Sequence, residues 1–185
     1  MSKILVDTID TRSGTSNITI GSSNASQITL KSGATLTNFP ANTPAFFAKV
    51  GSNQSVSNDT YTTVAFDTEV YDTDSAFNTS TYKFTVPTGK AGKYVFFAHT
   101  TYSNPGFSVG ERNQIYFKVN DSFEDFAGDN AACTHASADP SKSFSAQYNL
   151  SAGDIVHCQV LQQSGGTLTL QSAWARFYGY RLIGV

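Results

Sequence analysis

The chain has 185 residues, a formal net charge of −2 and only 14% charged side chains. Its 12 Lys and Arg face 14 Asp and Glu and do not cluster, so nucleic acid is not an expected partner. No stretch nears the roughly 18 apolar residues that cross a bilayer, so membrane insertion is not expected either.

The opening run, Met1-Ser2-Lys3-Ile4-Leu5-Val6-Asp7, turns acidic too early to form the hydrophobic core of a signal peptide. Synthesis in a cytosol without processing is the expectation. Through residue 40 the apolar residues come in isolated groups: Ile18 with Ile20, Ile28 with Leu30, then Leu36. The Ile-Thr-Ile and Ile-Thr-Leu units alternate with period two and read as brief strands with one apolar face. Ordering a residue costs roughly 1–2 kcal/mol of backbone entropy, and each buried Ile or Leu returns only about 1.5–3 kcal/mol. Groups this sparse cannot close a core within one chain. Disorder and association of copies along a shared seam both remain open, and the strand-like repetition favours association. Phe39-Pro40-Ala41-Asn42-Thr43-Pro44 then breaks the pattern and separates an extended, β-rich arm, residues 1–44, from a head domain, residues 45–185.

In the head, aromatic and β-branched residues dominate between turns rich in Gly, Asn and Ser, a composition suited to half-buried pleated strands. No long window carries apolar residues at helical spacing, so the class is all-β. Val64, Phe66 and Val70 fall on one face, opposite Asp67 and Glu69. Tyr82, Phe84 and Val86 share a face ahead of Pro87-Thr88-Gly89. A dense apolar run covers Tyr94 to His99. Ile115, Phe117 and Val119 alternate with Tyr116 and Lys118 as far as Asn120-Asp121, and Ile155 to Leu161 follows the turn Ser151-Ala152-Gly153-Asp154. About eight to ten short strands in such a length predict a sandwich or jelly roll.

The last segment is the most informative. Extended geometry puts Trp174, Tyr178, Tyr180 and Leu182 on one face and Phe177 and Ile183 on the other. An exposed sandwich strand keeps one face polar, whereas here both faces carry large apolar groups, as they do from Tyr94 to Ala98. One face fits the domain core, and the other fits a neighbouring subunit, where aromatics are favoured. The candidate interface residues are Tyr94, Phe96, Trp174, Tyr178 and Tyr180.

Chemistry-bearing constellations are thin. Cys133, His135, His157 and Cys158 lack the paired spacing of a structural zinc site, and adjacent His157 and Cys158 point to opposite faces of a strand. Cys158 shares the parity of Val156 and Val160 and reads as a buried thiol. A Cys133–Cys158 disulfide is possible after release from the cell, but cytosolic synthesis disfavours it. The acidic run Asp121-Ser122-Phe123-Glu124-Asp125-Phe126-Ala127-Gly128-Asp129 reads as a solvated loop, with a calcium site as the alternative. No nucleophile–base signature surrounds the three histidines, so no catalytic residues, cofactor or metal are expected. Tyr102, Phe107, Phe123 and Phe126 lie near turns, where flat rings can stack on sugars, although burial beneath the loops of a jelly roll is the favoured reading of each.

In chain order, Pro44-Ala45-Phe46, Val64-x-Phe66, Tyr82-x-Phe84-x-Val86-Pro87, Gly92-Lys93-Tyr94-Val95-Phe96, Gly153-Asp154-Ile155-Val156 and Phe177-Tyr178-Gly179-Tyr180-Arg181-Leu182 resemble the C1q/tumour-necrosis-factor-like jelly roll. The resemblance implies a ten-stranded sandwich that assembles as a homotrimer, here without a collagen-like stalk. The opening Lys3-Ile4-Leu5-Val6-Asp7-Thr8-Ile9, with Asn17-Ile18-Thr19-Ile20 and Ile28-Thr29-Leu30-Lys31-Ser32-Gly33, is similar to the arms of virion structural proteins of marine tailed phages, those of cyanobacteria included. Together the two resemblances imply a non-enzymatic virion protein of fibre or tail-appendage type. Its arm would dock on other virion proteins, and its head would contact a host surface glycan. A purely structural collar or decoration protein is the alternative.

Overall fold

The computed structural model describes Ser32 and residues 41–103, 108–132 and 139–183, with the side chains of 123–132 set aside. The strand expectations for the arm therefore lie outside the described residues. All regular structure among those described is β. Thirteen strands form it: β1 (Ala45–Lys49), β2 (Gln54–Val56), β3 (Thr62–Thr63), β4 (Thr68–Asp72), β5 (Phe77–Asn78), β6 (Lys83–Thr85), β7 (Gly92–Thr101), β8 (Arg112–Val119), β9 (Ser122–Ala132), β10 (Ser141–Leu150), β11 (Ile155–Gln162), β12 (Leu168–Leu170) and β13 (Arg176–Arg181). One sheet runs β10-β7-β13-β1-β4 and the other β5-β6-β11-β8-β9, with β3 also on β11; β2 and β12 form a small ladder of their own. The expected sandwich is present.

The core between the sheets is aromatic. Phe46 stacks on Phe77 and Phe84 at ring separations of 4.8 and 5.1 Å and meets the edge of Phe177 at 4.9 Å. Phe96 and Phe117 extend the cluster from β7 and β8. Gly179 makes room for it: a Cβ there would lie 2.6 Å from Phe96 Cδ1 and 2.8 Å from the Val95 carbonyl. Ile115, Phe117 and Val119 are buried as their alternation predicted, and so are Val156, Cys158 and Val160. Buried Gln162 is satisfied by the carbonyls of Val56 and Gly166, at 3.1 and 2.6 Å, and by the Ser164 N–H.

Turn chemistry sets the registers. Asn120 and Asp121 occupy the left-handed region at φ 50° and 61°, the backbone a two-residue hairpin needs between β8 and β9. Asn120 also ties that turn to the next, donating to Asp154 Oδ1 at 2.9 Å and accepting from the Ile155 N–H.

Several expectations require correction. The run from 121 to 129 is not a solvated loop, because Ser122–Ala132 pairs antiparallel with β8. Tyr82 does not extend the face of Phe84 and Val86; it sits in a turn at φ 61°. Val70 does not join Val64 and Phe66 in the core. Two tight backbone contacts, Phe66 N–H to Val64 and Asp67 N–H to Ala65, break the parity, and Val70 falls at a bulge in edge strand β4, 52% exposed.

Candidate functional site

The outer face of the five-stranded sheet is built from residues one position out of step with the core. On β7 the side chains of Tyr94, Phe96 and Ala98 point inward, so Val95, Phe97 and His99 point out. Cross-strand register then aligns Phe97 with Tyr178 on β13, Tyr178 with Phe47 on β1, and Phe47 with Tyr71 on β4. The four rings form one row across four strands. Phe97 stacks on Tyr178 at 5.0 Å, while Phe47 meets Tyr178 edge-on at 5.7 Å and Tyr71 at 6.2 Å. Tyr71 is 48% exposed and Tyr178 38%. Beside this stripe a depression of about 190 Å³ opens between Phe97, His99, Tyr178 and the serines Ser143 and Ser145 of β10.

Of the expected interface set, Tyr178 lies at the centre of this row and half-buried Tyr180 lies beside it, in register with Val95 and Ala45. Trp174 is exposed, but in a turn before β13 rather than on the strand. Tyr94 and Phe96 are turned into the core and cannot meet a neighbour. The Tyr94 hydroxyl donates to the Lys90 carbonyl at 2.6 Å, and burial pushes its pKa up to about 12 against the opposing pull of Arg181. Phe47, Tyr71 and Phe97, not that pair, share the outer face with Tyr178. Tyr102 is also no surface contact, being wholly buried with its phenol pKa raised by that burial. Phe107 and the side chains of Phe123 and Phe126 lie outside the described residues.

One step along the strands from the aromatic row runs a second, polar one: Ser143, His99, Arg176, Lys49 and Thr68. His99 Nδ1 lies 2.7 Å from the Ser143 hydroxyl, and burial together with the Arg176 charge holds the ring's pKa below its ordinary value. Mutual repulsion explains the second cause.

The outer face of the other sheet has different chemistry. Lys83 donates to both carboxylate oxygens of Asp121, at 2.9 and 3.2 Å, and His157 Nε2 lies 3.1 Å from the same carboxylate. Gln159 donates to Thr63 at 3.2 Å, Tyr116 donates to Gln114, and Tyr61 packs edge-on against Tyr116 at 5.7 Å. Among the described residues no three His, Cys, Asp or Glu side chains gather as a metal cluster would. Cys158 is a free, buried thiol whose pKa burial raises, and Cys133 lies outside the described residues.

No family model and no curated protein matches the sequence. Solved structures do match. The chain is similar to the globular domain of zebrafish complement 1qA protein, at 21% identity, over 75% of this chain and 97% of that one, with a TM-score of 0.53. It is similar to PRD1 vertex protein P5 at 15% identity, over 77% and 99%, with a TM-score of 0.56. Murine APRIL matches at 12% identity over 75% and 98%, with a TM-score of 0.49. At these identities the likeness is one of fold: an all-β jelly-roll sandwich.

Proposed function

We propose that the chain is a virion structural protein of fibre or appendage type. Its head, residues 45–185, assembles as a homotrimer and contacts a host surface polysaccharide, and its arm, residues 1–44, docks on other virion proteins. One observation carries the reading. Phe47, Tyr71, Phe97 and Tyr178 form a continuous aromatic row on the outside of a sheet, where a solitary sandwich would place polar groups. Copies packed around a common axis cover such a row. The fold shared with PRD1 vertex protein P5 supports a place on the particle.

Labelled antibody against the full chain, imaged on intact virions, tests the location. Staining at a tail, fibre or vertex is expected, and unlabelled particles overturn the reading. Incubating the full chain with host cells separates the two roles of the head. Adsorption supports host contact, whereas its absence leaves the decoration role.

A further inference from the structure

We propose that the cleft between Lys49, Thr68, Ser172 and Arg176 is a binding site for an acidic oligosaccharide, with a carboxylate or sulfate of the sugar held by the two cations. The inference rests on the reading of the head as a glycan-contacting domain and gives that contact a place and a charge.

Lys49 and Arg176 lie in direct cross-strand register on β1 and β13, and His99 is in register with Arg176 on its other side. Like charges directly opposite each other repel. Among the described residues neither cation has a carboxylate within ion-pair distance. The nearby Asp67 has one oxygen occupied by the Gly51 N–H at 2.6 Å and the Thr68 hydroxyl at 3.0 Å. Those donors are neutral, so Asp67 keeps its charge at the edge of the cleft, while Lys49 and Arg176 have no ion-pair partner among the described residues and are open to an anion from outside the domain.

The cations border a shallow, open cleft. The cleft has a volume of about 310 Å³, at the lower end of the range typical of small-molecule sites. Its walls are fixed. The Arg176 guanidinium donates to the Ala173 and Ala175 carbonyls at 2.7 and 3.1 Å, so its position is set before any ligand arrives. Ser172 is held through its N–H and hydroxyl on Asn53 Oδ1. Gly51 keeps the opposite wall close, since a Cβ there would fall 2.6 Å from Thr68 Oγ1.

The turn that supplies Ser172 and Ala173 continues into Trp174, a residue 57% exposed. An exposed aromatic residue one position along the chain from the cleft lining offers a sugar ring a stacking partner that a bare inorganic anion would not use. The cleft also lies at the end of β1 remote from residue 44, about 13 Å along the strand from Ala45 at the usual rise. That is the end of the sheet farther from where the arm joins the head.

Trp174 is the sole tryptophan of the chain, so its fluorescence reports directly on this turn. The full-length protein is titrated with a uronic-acid oligosaccharide, a sulfated oligosaccharide, a neutral glucan oligosaccharide and inorganic sulfate, and calorimetry is run in parallel. We expect one or both acidic oligosaccharides to bind and to change the Trp174 emission, and the glucan to do neither. Lys49→Glu is expected to weaken that binding by about tenfold or more while leaving the native mass unchanged. Equal binding of the glucan overturns the proposal, and so does sulfate binding as tightly as the oligosaccharides, which marks an adventitious ion only. A Lys49→Glu variant that alters native mass and not sugar binding also overturns it, by assigning the cleft to an acidic side chain of a neighbouring copy. If the chain adsorbs to host cells but no acidic sugar moves Trp174, this site fails and host contact stands. If acidic sugars bind through Lys49 but the chain does not adsorb, host contact fails and the site stands.

Discussion

The two sheets share one aromatic core yet present opposite outer faces. On the five-stranded sheet the outward residues of β7, β13, β1 and β4 include Phe97, Tyr178, Phe47 and Tyr71, ring against ring. On the opposite sheet the outward residues of β6, β11 and β8 include Lys83, His157, Gln159, Gln114 and Tyr116, joined by hydrogen bonds and ion-pair contacts. Folding a sandwich requires only the inner faces to be apolar. The aromatic outer face therefore needs an explanation other than folding, and the proposed association supplies one.

The sharpest way to break this contrast is to charge the aromatic face. The double variant Phe97→Asp, Tyr178→Asp is expected to lose assembly while keeping the β circular dichroism of a folded head. Tyr61→Asp, on the opposite face, is expected to leave native mass unchanged. Equal effects of the two changes would erase the distinction between the faces. Substituting the shared core acts on stability instead. Phe177→Ala should cost about 3–5 kcal/mol in urea unfolding, because the ring is fully enclosed by Phe46, Phe66 and Phe117. Gly179→Ala lies between the two behaviours. Its Cβ would collide with the Phe96 ring and the Val95 carbonyl, at an expected cost of about 1–3 kcal/mol.

The smallest effect concerns pH. Burial, and next the Lys83 charge, hold the His157 pKa below its ordinary value, although Asp121 opposes them. A histidine whose folded pKa is lowered contributes stability above its unfolded pKa of about 6.5 and loses it as pH falls toward the folded value. The hydrogen bond from Lys83 chiefly lowers the Asp121 pKa, and that contribution is lost only at more acid pH. His157→Gln should flatten the dependence of the urea midpoint on pH between about 7 and 5. An unchanged slope would show that His157 is not the group responsible.

Much of the fold was legible because single-sided strands declare their inner face. Ile115, Phe117 and Val119 alternate with polar neighbours, and the structure buries those three. The same logic fails on β7. Tyr94-Val95-Phe96-Phe97-Ala98 is apolar at every position, so alternation cannot say which parity faces the core. The decision rests with partners distant in sequence, above all Gly179, whose missing side chain admits Phe96. Alternation therefore puts Tyr94 and Phe96 outward as readily as inward. Extended parity carries Trp174 onto the strand because the turn that ends at it, just before β13, has no proline or glycine to mark it. The pairing of Lys49 with Arg176 was illegible for a simpler reason: 127 positions separate them, and only the β1–β13 register brings them together.

Sedimentation equilibrium of the full-length chain tests the central claim most directly. Three copies of a 19.9 kDa chain predict a stable species of about 60 kDa at micromolar concentration, unaffected by moderate salt because its contacts are aromatic. A species that stays at 19.9 kDa, with Tyr71 and Tyr178 open to solvent, would contradict it.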